Sequence, residues 1–182
     1  MKYFTPELYM QFNSFDVEEA ERADAAWDLA EAAYKQRLAS IREQLPMAVV
    51  RLSELCLHDA LVVSRLEQAQ PFGEMPATYP VPLPVLWTAV AIVSVTAGEE
   101  VTSLIYSLSD HITVRDAPEG WRFSKLQEQW LYDELDLLND DRGPFVHRIL
   151  FSTGVSLEIP FVSVIVHQFR VPAAPPIAKQ SA

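Results

Sequence analysis

Residues Leu55-Cys56-Leu57-His58-Asp59-Ala60-Leu61-Val62-Val63, LCLHDALVV, separate two unlike parts of the chain. Before them, apolar residues recur every three or four positions. After them, apolar and polar residues alternate and β-branched side chains dominate. The first period is that of a helix and the second that of a strand. The segment is therefore the junction at which a helical N-terminal third hands over to a sheet. Read as a strand from Leu57, it places Cys56 and His58 on one face and Asp59 on the other. A Cys-His nucleophile needs a thiolate beside the imidazole and a third group orienting the ring. Alternation denies His58 that third group, so Cys56 reads as a buried structural cysteine.

Upstream of the junction the helix signals are explicit. Thr5-Pro6-Glu7 combines a capping hydroxyl, proline at the first helical position and an acid, and predicts a short helix to about Phe12. Asn13-Ser14 breaks it. Asp16, with Glu19 three residues on, has the spacing of a capping box and starts a second helix. Ala20, Ala23, Trp27, Ala30, Tyr34, Leu38, Ile41 and Leu45 form its apolar stripe. Glu18, Glu19, Glu21 and Asp24 sit toward its N-terminus and Lys35, Arg37 and Arg42 toward its C-terminus, the order the helix dipole favours. Pro46 ends this helix or opens another over Met47 to Leu55.

Downstream, strands are expected at Leu57 to Leu66, Val85 to Thr96, Val101 to Leu108, Ile112 to Val114, Gln129 to Leu138, Phe145 to Phe151 and Val155 to Gln168. Turn residues at Ala97-Gly98-Glu99-Glu100, Asn139-Asp140-Asp141-Arg142-Gly143 and Ser152-Thr153-Gly154 are too short for crossovers, so the pairing is antiparallel. Pro160 requires an edge, a bend or a bulge in the last strand. Helices before strands define the α+β class: N-terminal helices packed on one face of a mainly antiparallel sheet of about five to seven strands. Residues 1–170 form one domain, helical over 5–56 and sheet over 57–170, and 171–182 read as a disordered tail.

The chain has 182 residues, enough for one domain with a substantial core. Its 14 basic and 25 acidic residues give a formal charge of -11, which opposes nucleic acid and anionic membranes. One cysteine forms no internal disulfide, and the start MKYFTPELY lacks a secretory pattern, so the expected compartment is the cytoplasm. Met75 to Gly98 carries no charge, yet Pro76, Pro80, Pro82 and Pro84 break its first half. It reads as a proline-rich loop and a buried strand, not a membrane span.

Candidate chemistry is sparse. His58, His111, His147 and His167 lack metal-ligand spacing, and His58 with His147 is the pair to examine. In Tyr132-Asp133-Glu134-Leu135-Asp136, alternation puts Glu134 and Asp136 beside Tyr132 and turns Asp133 with Leu135 the other way. The carboxylate pair could serve acid–base work or a hard cation, but the expected reading is a solvated sheet face with Leu135 and Leu137 turned inward. Trp121, Phe123 and Trp130 flank Lys125 and offer either a surface or core. No glycine-rich phosphate loop, HExxH or GxSxG is present, and no cofactor is expected.

The segments YFTPELYMQFN, CLHDA, WLYDE, HRILFS and EIPF together resemble a family of bacterial proteins known as a domain of unknown function. The resemblance runs from Tyr3 to about Phe161. It implies no activity, so no catalytic residue follows from it. Small acidic α+β proteins also include the immunity proteins of bacterial toxin systems, a likeness of class. The expected function is a non-enzymatic protein-binding module with a basic partner. The alternative is a small-ligand binder or hydrolase-type enzyme built around His58, Glu134 and His147. A homodimer through an edge strand is a third arrangement to test.

Overall fold

The computed structural model describes residues 1–68, 87–95, 100–140 and 143–170. The expected proline-rich loop, the turn over Ala97-Gly98-Glu99, the centre of the Asn139–Gly143 turn and the tail lie outside the described residues. Three α-helices come first among the described residues: α1 (Pro6–Phe12), α2 (Val17–Ile41) and α3 (Met47–Ser53), with a 3-10 turn at Arg42–Gln44 between the last two. Thr5 Oγ1 accepts from Leu8 N–H at 3.2 Å and caps α1. Asp16 Oδ1 accepts from Glu19 N–H at 3.1 Å and caps α2. Among the described residues no helix is long and apolar enough to cross a membrane.

Among the described residues seven strands follow: β1 (Leu61–Gln68), β2 (Trp87–Val95), β3 (Glu100–Leu108), β4 (Thr113–Arg115), β5 (Trp130–Asp140), β6 (Gly143–Phe151) and β7 (Ser156–Arg170). Their order is β1-β2-β3-β7-β6-β5, with β4 also on β7, and every pairing is antiparallel. The fold is α+β. The two end strands also meet. Leu61 bridges Gln129, Val62 N–H donates to Glu128 O at 2.9 Å, and Trp130 N–H donates to Ala60 O at 2.9 Å. The sheet thus curls until it closes at one end, which gives it an inside and an outside and removes edge there.

Pro160 shows how the chain permits this. β7 is central, between β6 on one side and β3 plus β4 on the other. Residues Ser156 to Glu158 pair with β4 and Phe161 onward with β3, with an irregularity between Ser107 and Leu108. Pro160 falls at the changeover, where only Ser109 N–H reaches its carbonyl, at 3.2 Å. Its missing N–H faces a gap in the ladder and costs no strand bond.

The inner face holds Leu104, Tyr106, Leu108, Trp130, Leu135, Phe145, Ile149, Phe151, Ile159, Phe161, Val164 and Val166, all buried. Ile41, Leu45 and the α3 residues Val49, Val50 and Leu52 join the same core. α3 lies on the inner side of β7, where Arg51 reaches Gln168 at 3.4 Å. α2 lies on the outer side of β5: Tyr34 Oη accepts from Leu135 N–H at 2.8 Å, and Arg37 Nη2 meets Asp136 at 2.7 Å.

Candidate functional site

On the inner face, four side chains form one polar chain. Tyr106 Oη lies 2.8 Å from His147 Nδ1, and His147 Nε2 lies 3.0 Å from Asp133 Oδ2. Trp130 Nε1–H donates to Asp133 Oδ1 at 2.9 Å. The carboxylate accepts from Nε2–H, and in the neutral imidazole Nδ1 is then the acceptor for the tyrosine hydroxyl. Burial, and then the Asp133 charge, push Tyr106 well above the usual tyrosine range. Tyr106 and His147 are fully buried. Those two are closed to solvent, while the Asp133 side chain stays 24% exposed. Each group has a partner, so the chain ties β3, β5 and β6 together.

The outer face carries the other two acids of the run. Glu134, 1% exposed, accepts backbone N–H from Lys2 (2.7 and 3.0 Å), Tyr3 (2.6 Å) and Phe4 (2.8 Å). Asp136 is held by Arg37 Nε at 2.8 Å and by Leu137 N–H at 2.9 Å, with Lys2 Nζ at 3.6 Å. The expectation of a solvated face is thus corrected: Glu134 and Asp136 lie beneath α2 and the 2–4 segment. The Phe4 ring packs between α2 and β5, 5.3 Å from Trp27, 5.6 Å from Tyr34 and 5.4 Å from Tyr132.

The junction segment also differs from its reading. It turns through residues 57–60 before β1 begins, because Asp59 adopts a left-handed φ of 63°. The turn brings His58 Nδ1 to 3.1 Å from Asp59 Oδ2, where an extended strand would separate them. Cys56 is exposed, not buried, since it lies in the loop ahead of the turn. His58 is on the surface, with its ring 4.9 Å from Tyr132. His147 faces inward opposite Leu135, whereas Glu134 faces outward opposite Arg148. His58, Glu134 and His147 therefore occupy three separate environments and make no common site. Among the described residues no group of three or more His, Cys, Asp or Glu is placed to hold a metal ion.

The surface feature that sequence reading did not find is a groove of about 400 Å³ between α1 and residues 118–123. Glu7, Glu19 and Glu119 line it, over Met10, Pro118 and Phe123. The Arg122 guanidinium at its rim donates to Asn13 O at 2.9 Å and stacks on Phe15 at 4.3 Å. Phe123 is set by Tyr9 and Trp121, each 5.1 Å away, and Trp121 Nε1–H donates to Ser152 O at 2.9 Å. Of the aromatic trio around Lys125, Phe123 thus lines the groove, Trp121 backs it, and Trp130 is core. Glu7 and Glu119 are separated by more than a hundred residues, so no local pattern could announce them.

Fold and groove together define an acidic α+β protein with a carboxylate-lined surface cleft. No family model, curated protein or solved structure matches the chain.

Proposed function

We propose that this chain is a non-catalytic, cytoplasmic protein-binding module whose partner is basic, the role an immunity protein plays toward a toxin. The observation that carries this reading is the groove between α1 and residues 118–123. Three carboxylates outnumber the one guanidinium in the groove lining, Arg122, which is engaged by Asn13 O and Phe15. This suits a lysine or arginine whose stem packs on Phe123 and Met10 while its head meets Glu7 and Glu119. The α2 N-terminal half and the segment before residue 118 add more exposed acid than base: Asp16, Glu18, Glu21, Asp24 and Asp116 against Arg22 and Arg115. The net charge of -11 steers a basic partner toward it. The inner carboxylate and imidazole are committed to structural bonds, which favours binding over catalysis.

The test is affinity capture from the source organism at low and high salt, with the wild-type chain and with Glu7→Lys/Glu119→Lys. A basic protein held by wild type at low salt, weakened by salt and lost in the double variant supports the reading. Recovery of no stable partner at either salt overturns it, as does a partner retained equally by the double variant.

A further inference from the structure

The α1 wall of the groove is placed from outside the helix: Tyr9 packs on Trp27, Trp121, Phe123 and Tyr132, and Phe12 on Trp27. α1 is seven residues long and none of them is buried. A helix this short does not hold itself in water, so its ends and ring contacts must place it. Its C-terminal end leads through a break at Asn13 into α2. Its N-terminal end is the run Lys2, Tyr3, Phe4, Thr5, Pro6, in which each residue has a fixed task. Thr5 caps the helix and Pro6 begins it. The three residues before Thr5 wrap their successive N–H groups around the Glu134 carboxylate, an arrangement that backbone uses to grip an anion. Nothing separates this grip from the helix except the capping residue.

We infer that Glu134 is a positioning residue for the groove: it latches the 2–4 segment, and through it sets α1 with Glu7 and Met10. The binding consequence rests on the groove being the partner-binding face; the latch itself does not. Glu134 points outward from β5, away from the Asp133–His147–Tyr106 chain, so the latch can be released while the closed sheet stays folded.

The test uses the full chain. In Glu134→Gln the side chain keeps its size, but one acceptor becomes a donor facing N–H groups. Amide exchange read by NMR is expected to become at least about tenfold faster at Tyr3, Phe4, Leu8 and Tyr9, as loss of a charge-assisted bond implies. Ile149 and Leu157 in β6 and β7 keep their protection. Binding of an arginine-rich peptide falls by about tenfold, whereas Glu43→Gln, the same charge loss beyond the far end of α2, changes it less than about twofold. Unchanged exchange at Tyr3 and Phe4 overturns the latch. So does faster exchange spread equally through β6 and β7. If wild type does not bind the peptide, the groove reading fails while the exchange result still decides the latch. If the segment is freed and binding is unchanged, the positioning role is wrong. Lys2→Pro removes the N–H that reaches both carboxylate oxygens without touching the sheet, and the same exchange pattern at Tyr3 and Phe4 is required of it.

Discussion

The hydroxyl of Tyr106 and Nδ1 of His147 meet at 2.8 Å across the inside of the sheet, from β3 to β6, with β7 between them. Both residues are fully buried. Tyr106→Phe removes the donor and leaves a buried ring nitrogen without a partner. A loss of about 1–3 kcal/mol of stability is expected, read as a lower urea midpoint with unchanged slope. His147→Leu should be worse, because it strands Tyr106 and Asp133 together. An unaltered midpoint in Tyr106→Phe would show that the contact contributes nothing.

Alkaline pH should expose the same burial. Tyr132 is pushed up to about 12, by burial first and then by Tyr9, Asp59 and Glu31. Tyr9, Tyr34 and Tyr106 are also raised, each chiefly by burial. An acid whose folded pKa is raised keeps its proton longer in the folded state, so stability falls as pH rises. For Tyr132 the contribution is complete below pH 10 and is lost between 10 and about 12. Phenolate absorbance should lag a model tyrosine and then rise together with unfolding. A simple titration at the ordinary value, with stability flat across that window, would count against the burial of these rings.

Cys56 offers the most direct contrast between sequence and structure. It is exposed, so the native protein should react with a thiol reagent as fast as the unfolded chain, and Cys56→Ser should shift stability by less than about 0.5 kcal/mol. Slow native reactivity would restore the buried reading.

That contrast has a physical source. Helix caps, the α2 stripe and strand alternation are local, and Thr5, Asp16, Ala23, Ile41 and the β3 residues Leu104, Tyr106 and Leu108 sit where spacing puts them. Alternation also turned Asp133 and Leu135 to one side and Glu134 and Asp136 to the other. It could not say which side would be covered, because α2 and the 2–4 segment arrive from more than ninety residues away. The left-handed turn at Asp59 was hidden for a different reason. Asp is a residue that tolerates that conformation, but the apolar alternation on either side reads straight through it. The meeting of Tyr106 with His147 depends on strand order, which no local pattern encodes.

Gly143 marks the start of β6 with a φ of 126°, and a Cβ there would run into the Ser109 side chain. Gly143→Ala should destabilise by more than about 1 kcal/mol, from backbone strain and collision together. Adding Ser109→Gly should recover only the collision part. Full recovery in the double variant would mean that the backbone conformation carries no strain.

Arg37 and Asp136 test whether the outer ion pair stabilises or merely avoids a penalty. Asp136 is 6% exposed, and Arg37 gives it both Nε and Nη2 contacts. Removing the base alone leaves a covered carboxylate with Leu137 N–H and a distant Lys2. Arg37→Met should therefore cost about 2 kcal/mol, below the range for a fully buried pair because the guanidinium is partly in water. Arg37→Met/Asp136→Leu removes the stranded charge as well, and should lie closer to wild type than the single variant. The sign of the coupling in this cycle decides the matter. A double variant as unstable as the sum of both singles would mean that the pair is additive packing, and that the charges do not act on one another.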